Sequence, residues 1–343
     1  MLPLPRLEIA APRTLDEALG ILAARGKGAR LLAGGTDLVP NLKHGLFDVE
    51  VLIPLKRVAG LRGVSRAADG GLKIGALTSL SGLAADATLR GTHPALAVTV
   101  SQIAGPQLRN MGTIGGNLCL DTRCTYYNQT EPWRIALGYC LKRTGTLCHV
   151  VPGGTRCVAA VSSDSAPMIL ALGGAVVLRS AVRGERVVAL DQFFLGEGRA
   201  NTVVEPDEIL TEARLPAPAP GQFAGYQKLR PRGAIDFPIL AVAVAGTRAA
   251  DGTLSGARVV VGALGAKPRE VSGVAALVAG HAPTRELIDA VGEVAFKQCR
   301  PLTNIPIDAE WRHDMVPVLV RRAFAQALDL PLEQPRLQPV GAG

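Results

Sequence analysis

"ARLLAGGTDL" (residues 29–38) changes character halfway. Its first half is apolar and reads as a short strand; Gly34-Gly35 then turns the chain, and a helix opens near Asp37. Glycine tolerates positive φ and lets a backbone approach a ligand closely. A Gly-Gly turn running into a helix start also exposes N–H donors that suit a pyrophosphate. A second pair stands in "GTIGGNLC" (residues 112–119), and the Thr36 hydroxyl, the Asp37 backbone and the Asn117 amide add hydrogen-bonding capacity. Either pair alone is no more than a tight turn. Neither is G-x-G-x-x-G, and neither carries the Lys-Ser/Thr of a P-loop, so ordinary NAD and ATP sites lose support.

Working outward, "LDEALGILAARG" has helical apolar spacing at Leu15, Ala18, Leu19 and Leu22, and "VEVLIPL" reads as a buried strand. "GLKIGALTSLSGLA" repeats strand-turn-helix, and "THPALAVTVSQIA" is a helix. "SSDSAPMILALGGAVVLRS" gives a capped helix and then a strand, and "PDEILTEARL" a further strand. The Pro-rich "PAPAPGQ" (residues 216–222) marks a boundary. Beyond it, "FAGYQKL", "PILAVAVAGTRA" and "LSGARVVVGALG" read as strands, while "TRELIDAVGEVAFKQC" and "DAEWRHDMVPVLVRRAFAQAL" have helical periodicity. The expected organisation is α+β. Residues 1–222 form a first domain in two lobes (about 1–56 and 57–222), residues 223–330 a smaller α+β domain, and residues 331–343 a loose tail.

A chain of 343 residues with 48% hydrophobic but only 4% aromatic residues builds mainly aliphatic cores. Its formal charge of +8 is scattered, with no basic run of five or more, which argues against a nucleic-acid partner. No stretch approaches the apolar length needed to span a bilayer, and the N-terminus carries no signal-peptide pattern, so a cytoplasmic location is expected. Clustered thiols there point to metal or redox chemistry rather than to disulfides.

The two glycine pairs together are more specific than either alone. With "LLAGGTDL", "TIGGN", "SDSAPMILALG", "DEIL" and "YQKLRPRGAIDFPILAVAVA" in that order, nearly the whole chain resembles the FAD-binding subunit of the molybdenum hydroxylase family. That family includes xanthine and carbon monoxide dehydrogenases. The resemblance implies a two-lobed FAD domain of the vanillyl-alcohol-oxidase type, followed by the C-terminal α+β domain of carbon monoxide dehydrogenase flavoproteins. It implies a first pyrophosphate loop at Ala33, Gly34, Gly35, Thr36, Asp37 and Leu38, and a second at Thr113, Gly115, Gly116 and Asn117. It further implies that Asp164 holds a sugar or ribitol hydroxyl, that Ile209 or Leu210 packs on the adenine, and that Lys228 approaches the flavin ring. Read on their own, Asp164 is a helix cap and Lys228 a solvated charge.

One stretch stands apart. "DTRCTYYNQTEPWRIALGYCLKRTGTLCHVVPGGTRC" (residues 121–157) holds four of the six cysteines, three of the four tyrosines and one of the two tryptophans. It lies in a segment, about 118–160, that intervenes between "GGN" and the "SD" helix, where relatives have a short link. Cys124, Cys140, Cys148 and Cys157 follow C-x15-C-x7-C-x8-C. Four thiolates suit zinc or an iron–sulfur cluster. The C-x2-C knuckles usual for zinc are absent, and so is ferredoxin spacing. Spacing leaves the metal open; a neighbouring flavin favours a redox-active cluster. Cys119 reads as packed and Cys299 as a buried thiol.

The spacing also resembles that of the flavin and iron–sulfur subunits of 4-hydroxybenzoyl-CoA reductases, which implies a [4Fe-4S] cluster on those four cysteines. The implied current runs from reduced ferredoxin through the cluster and FAD to [2Fe-2S] clusters on a small partner subunit and a molybdopterin cofactor on a large one. There 4-hydroxybenzoyl-CoA loses its phenolic hydroxyl, in a complex expected to be a dimer of heterotrimers. The alternatives are a molybdenum hydroxylase oxidising an aldehyde or azaheterocycle, and a flavin subunit with a structural zinc docking loop.

Overall fold

A computed structural model describes residues 2–331; the tail read over 331–343 lies, but for its first residue, outside them. The architecture is mixed α and β, in three sheets that follow one another along the chain.

The first sheet is parallel: β1 (Glu8–Ile9), β2 (Ala29–Leu32) and β3 (Val51–Pro54), in the order β1-β3-β2. Helix Leu15–Arg25 covers it. Thr14 caps that helix by accepting from the Glu17 amide at 3.1 Å, and Gly26, at φ 53°, ends it. Ala18, Leu19 and Leu22 bury one helical stripe against Val51 and Ile53.

The second sheet is antiparallel: β4 (Val64–Arg66), β5 (Leu72–Gly75), β6 (Ala175–Ser180), β7 (Gly184–Ala189) and β8 (Glu208–Leu215), in the order β4-β5-β8-β6-β7. Helices Leu80–Ala85, Pro94–Ser101 and Ser165–Ala171 share its core. The register of β8 on β6 shifts between Val177 and Leu178, leaving Thr211 as a bulge. The bulge reverses the alternation, so Leu210, Ala213 and Leu215 face this core while Ile209 faces the first lobe.

The third sheet is also antiparallel: β9 (Gln222–Leu229), β10 (Leu240–Arg248), β11 (Leu254–Gly262) and β12 (Arg269–Glu270), in the order β12-β11-β10-β9. Residues 240–245, "LAVAVA", explain how it sits. Leu240, Val242 and Val244 pack against helices Arg285–Gln298 and Ala309–Leu328. Ala241, Ala243 and Ala245 point the other way and join the core of the second sheet. Their small side chains let helix Ser165–Ala171 come close, and a side-chain carbon on Gly262 would sit 2.7 Å from Pro167 Cγ. Among the described residues, no helix is long and apolar enough to cross a membrane.

The elements read from the sequence are present at these places. Among the elements absent from that reading are the short strands β1, β4 and β12, the edge strand β7, whose burial pattern is almost wholly exposed, and helix Glu131–Ala136 inside the cysteine-rich segment.

Candidate functional site

The first glycine pair connects β2 to helix Leu38–Lys43. Gly35 takes φ 72°, a left-handed conformation that glycine adopts without strain. Among the described residues, the amides of Gly34, Gly35, Thr36 and Asp37 donate to no protein group. A row of unpaired donors at a strand-to-helix turn is what an anionic pyrophosphate requires, so these residues fit FAD.

The second pair differs from its reading as an open turn. Gly115 and Gly116 lie inside helix Ile114–Leu118, capped by Thr113, whose hydroxyl accepts from the Gly116 amide at 3.1 Å. The amides of Ile114, Gly115 and Asn117 donate to Thr78, Ala76 and Thr113 carbonyls. The donors are therefore spent within the chain, because the chain leaving β5 packs directly behind them. Gly115 is constrained by that packing: a side-chain carbon there would stand 2.7 Å from Ala76 Cβ and 2.9 Å from its carbonyl.

The two motifs are brought side by side. A side-chain carbon on Gly34 would overlap the Met111 carbonyl and lie 3.0 Å from Gly112 Cα. Ala33 packs at the edge of the first-lobe core, and Leu38 against Leu42, Val49 and Leu52. Asn117 is buried, and its side-chain oxygen accepts from Ser163 Oγ at 2.8 Å and from Ser165 Oγ at 2.6 Å. This ties the second loop to helix Ser165–Ala171.

Asp164 occupies the N-cap position of that helix, but its side chain makes no capping bond; the Ser163 hydroxyl accepts from the Ala166 amide at 3.1 Å instead. Asp164 is buried and accepts from the Tyr226 hydroxyl at 2.8 Å and from Lys228 Nζ at 2.9 Å. Lys228 is not a solvated charge: its side chain is fully buried, and Nζ also reaches the Gln102 carbonyl at 3.3 Å. Burial pushes the Asp164 carboxyl up and the Lys228 ammonium down, each opposed by the partner's charge. Tyr226 escaped the sequence reading, although it lies two residues before Lys228 on one strand and so shares its face. Ile209 and Leu210 are both buried and face opposite sides of β8.

The cysteine-rich segment closes at its neck by a two-way backbone pairing of Arg123 with Ala160, at 2.8 and 2.7 Å. It docks on residues 37–48, the continuation of the first glycine loop. Arg123 donates to Asp37 at 2.9 Å, the Tyr127 hydroxyl to the Leu46 carbonyl at 3.0 Å, and buried Arg134 to the His44 carbonyl at 2.6 Å. Arg143 pairs with Asp48 through two hydrogen bonds of 2.7 and 2.8 Å. Asp37 therefore spends its carboxylate on Arg123 and Asn41, and Arg123 also stacks over Phe237 at 4.2 Å. Nothing in the sequence pattern singled out Arg123 except its place beside Cys124.

Cys124, Cys140, Cys148 and Cys157 line one pocket, walled by Tyr126, Tyr127, His149 and Val150. All four thiols are free, and all but Cys140 are buried. Burial pushes the Cys124 thiol up to about 11. Among the described residues, no group of three or more His, Cys, Asp or Glu is placed to hold a single metal ion. Cys119, read as packed, is exposed and does not line the pocket; Cys299 is buried in the C-terminal core.

A two-lobed domain with an open-amide glycine loop, joined to an antiparallel sheet backed by two helices, is what the resemblance to the flavin-binding subunits of molybdenum enzymes implied. The comparisons agree. Residues 5–218 match the FAD binding domain in molybdopterin dehydrogenase, and residues 225–327 the CO dehydrogenase flavoprotein C-terminal domain. The chain belongs to this family of FAD-binding subunits.

The chain is 30% identical to the carbon monoxide dehydrogenase medium chain of Hydrogenophaga pseudoflava, over 95% of its own length and 98% of the relative's. It is 28% identical to the xanthine dehydrogenase FAD-binding subunit of Escherichia coli O157:H7, over 92% and 94%. Among solved structures, the Hydrogenophaga pseudoflava carbon monoxide dehydrogenase superposes with a TM-score of 0.78 at 29% identity, covering 96% of this chain and all of that one.

Proposed function

We propose that this chain is the flavin and iron–sulfur electron-transfer subunit of a molybdenum-dependent oxidoreductase complex, with substrate chemistry on a partner subunit. The observation that carries this reading is that four free thiols line one largely apolar pocket, within a segment docked on the first glycine loop. When bound, FAD exchanges one or two electrons and a four-thiolate [4Fe-4S] cluster exchanges one.

The chain's own groups divide the work. The amides of Gly34 to Asp37 receive the pyrophosphate. Thr113, Gly115, Gly116 and Asn117 form the wall behind it, and Ile209 or Leu210 packs on the adenine. Asp164 and Lys228 present a fixed charge pair near the ribitol and ring. Cys124, Cys140, Cys148 and Cys157 hold the cluster, and Tyr126, Tyr127 and Val150 limit water around it.

The direction of the current has two readings. Relatives named as carbon monoxide, xanthine and caffeine dehydrogenases favour oxidation, with FAD passing electrons outward from a molybdenum subunit acting on an aldehyde or azaheterocycle. The four-thiol pocket favours the reverse: entry from a reduced ferredoxin and reductive removal of the phenolic hydroxyl of 4-hydroxybenzoyl-CoA as water. A structural zinc ion on the same four thiols is the remaining reading, and metal analysis separates it from a cluster.

Iron and acid-labile sulfide analysis of the anaerobically purified complex, with EPR after reduction, tests the cluster. One equivalent of zinc and no reducible signal overturns it. Cys140→Ser is expected to remove the cluster signal and ferredoxin-driven turnover while FAD stays bound; turnover without the cluster places electron entry elsewhere. Benzoyl-CoA formed from 4-hydroxybenzoyl-CoA and reduced ferredoxin supports the reductive direction. Flavin bleaching by an aldehyde or N-heterocycle, with no benzoyl-CoA, supports the oxidative one.

A further inference from the structure

Lys142 is the formal cation among the described residues lining the four-cysteine pocket. Its side chain is 4% exposed, and an ammonium in such a place needs negative charge close by. Asp121 supplies one charge at 2.8 Å, the Thr122 carbonyl accepts at 2.7 Å, and the Tyr127 ring lies 4.5 Å below Nζ. Asp121 does not line the pocket, and its second oxygen is buried without a partner. Lys142 thus belongs to the pocket lining, two residues along the chain from Cys140, while Asp121 stands outside that lining.

The geometry points to Lys142 and Asp121 as the charge pair that sets the reduction potential of the cluster in this segment. The inference rests on the cluster reading above. On reduction, the cluster and its thiolates gain one electron and one negative charge, with no bond made or broken. Lys142, in the pocket lining, favours the reduced form; Asp121, outside that lining, opposes it. In the partly dry interior a charge at this range acts with little screening. Lys142 is a positioning residue for charge and not a ligand.

The test is an EPR-monitored redox titration of the assembled complex, with iron and sulfide counted in each variant. Lys142→Met is expected to disfavour reduction about tenfold, which is about 59 mV for one electron. Asp121→Asn is expected to shift the equilibrium the other way by a similar factor, and Lys142→Arg to restore the wild-type position. A purely structural role would move both neutralising variants together or empty both. Should Lys142→Met fail to assemble, the opposite-signed shift in Asp121→Asn still decides the matter. Cluster-bearing variants that titrate like wild type, or shift in the same direction, overturn this inference and leave the cluster standing. A wild-type protein without a reducible cluster overturns both.

Discussion

Gly34→Val is expected to be purified with less than about a tenth of the wild-type flavin. A side-chain carbon at Gly34 would overlap the Met111 carbonyl, with the carbonyl carbon at 2.6 Å, and backbone cannot swing aside as a flexible side chain does. Inserting bulk into such a contact costs about 1–3 kcal/mol. The cheapest relief is separation of the two glycine loops, which moves the unpaired amides of Gly34 to Asp37 away from a phosphate. An increment of 1.4 kcal/mol is tenfold in affinity. Flavin content from the visible spectrum and an FAD titration measure the loss, with circular dichroism confirming that the sheets persist. The internal control is Gly20→Ala, where nothing lies within 4 Å of the added carbon and flavin content should not change. Wild-type flavin occupancy in Gly34→Val would refute the placement of the cofactor on this loop.

Much of the fold was legible because its elements obey local rules. The 3.6-residue stripe of Leu15, Ala18, Leu19 and Leu22 and the alternation in "LAVAVA" announce themselves before any tertiary contact exists. What stayed hidden was decided by packing. β7 is a sheet edge with a nearly all-exposed pattern, so it carries no apolar signature to find. The bulge at Thr211 reverses the faces of Ile209 and Leu210 through a register shift that no residue type declares. Helix Glu131–Ala136 holds only one buried residue, Arg134, which bonds to the carbonyls of a segment some ninety positions earlier.

The candidate site divides in the same way. Gly34-Gly35 forms the expected open turn, because a positive φ and a following helix are local demands. Gly115-Gly116 does not, since whether an amide is open depends on what stands behind it, and Ala76 and Thr78 do. Motif identity cannot separate these two cases. That the four thiols line one pocket depends equally on distant contacts: Arg123 to Asp37, Tyr127 to Leu46 and Arg143 to Asp48 fold the segment back on its neighbour. Those links make the cysteine pocket and the first glycine loop parts of one body.

Asp164→Ala is expected to be the most destabilising single substitution proposed for this chain, at about 3–5 kcal/mol, because removing one member of a buried ion pair leaves the other charge stranded. Lys228 is fully buried, and after truncation the Gln102 carbonyl is the hydrogen-bond acceptor left to its ammonium among the described residues. Burial already pushes the Asp164 carboxyl up and the Lys228 ammonium down, so desolvation works against both charged forms and each is held by the other. Neutralising the two together therefore removes a penalty as well as an attraction. The double variant Asp164→Ala/Lys228→Met should recover most of the loss, and Asp164→Asn, which keeps an acceptor, should fall between. The pair also joins the start of helix Ser165–Ala171 to β9, so the loss should appear as early detachment of the C-terminal sheet in hydrogen exchange. Urea unfolding of the four proteins decides it: a single variant as stable as wild type, or a double variant no better than the single, would show that the charges are not holding one another.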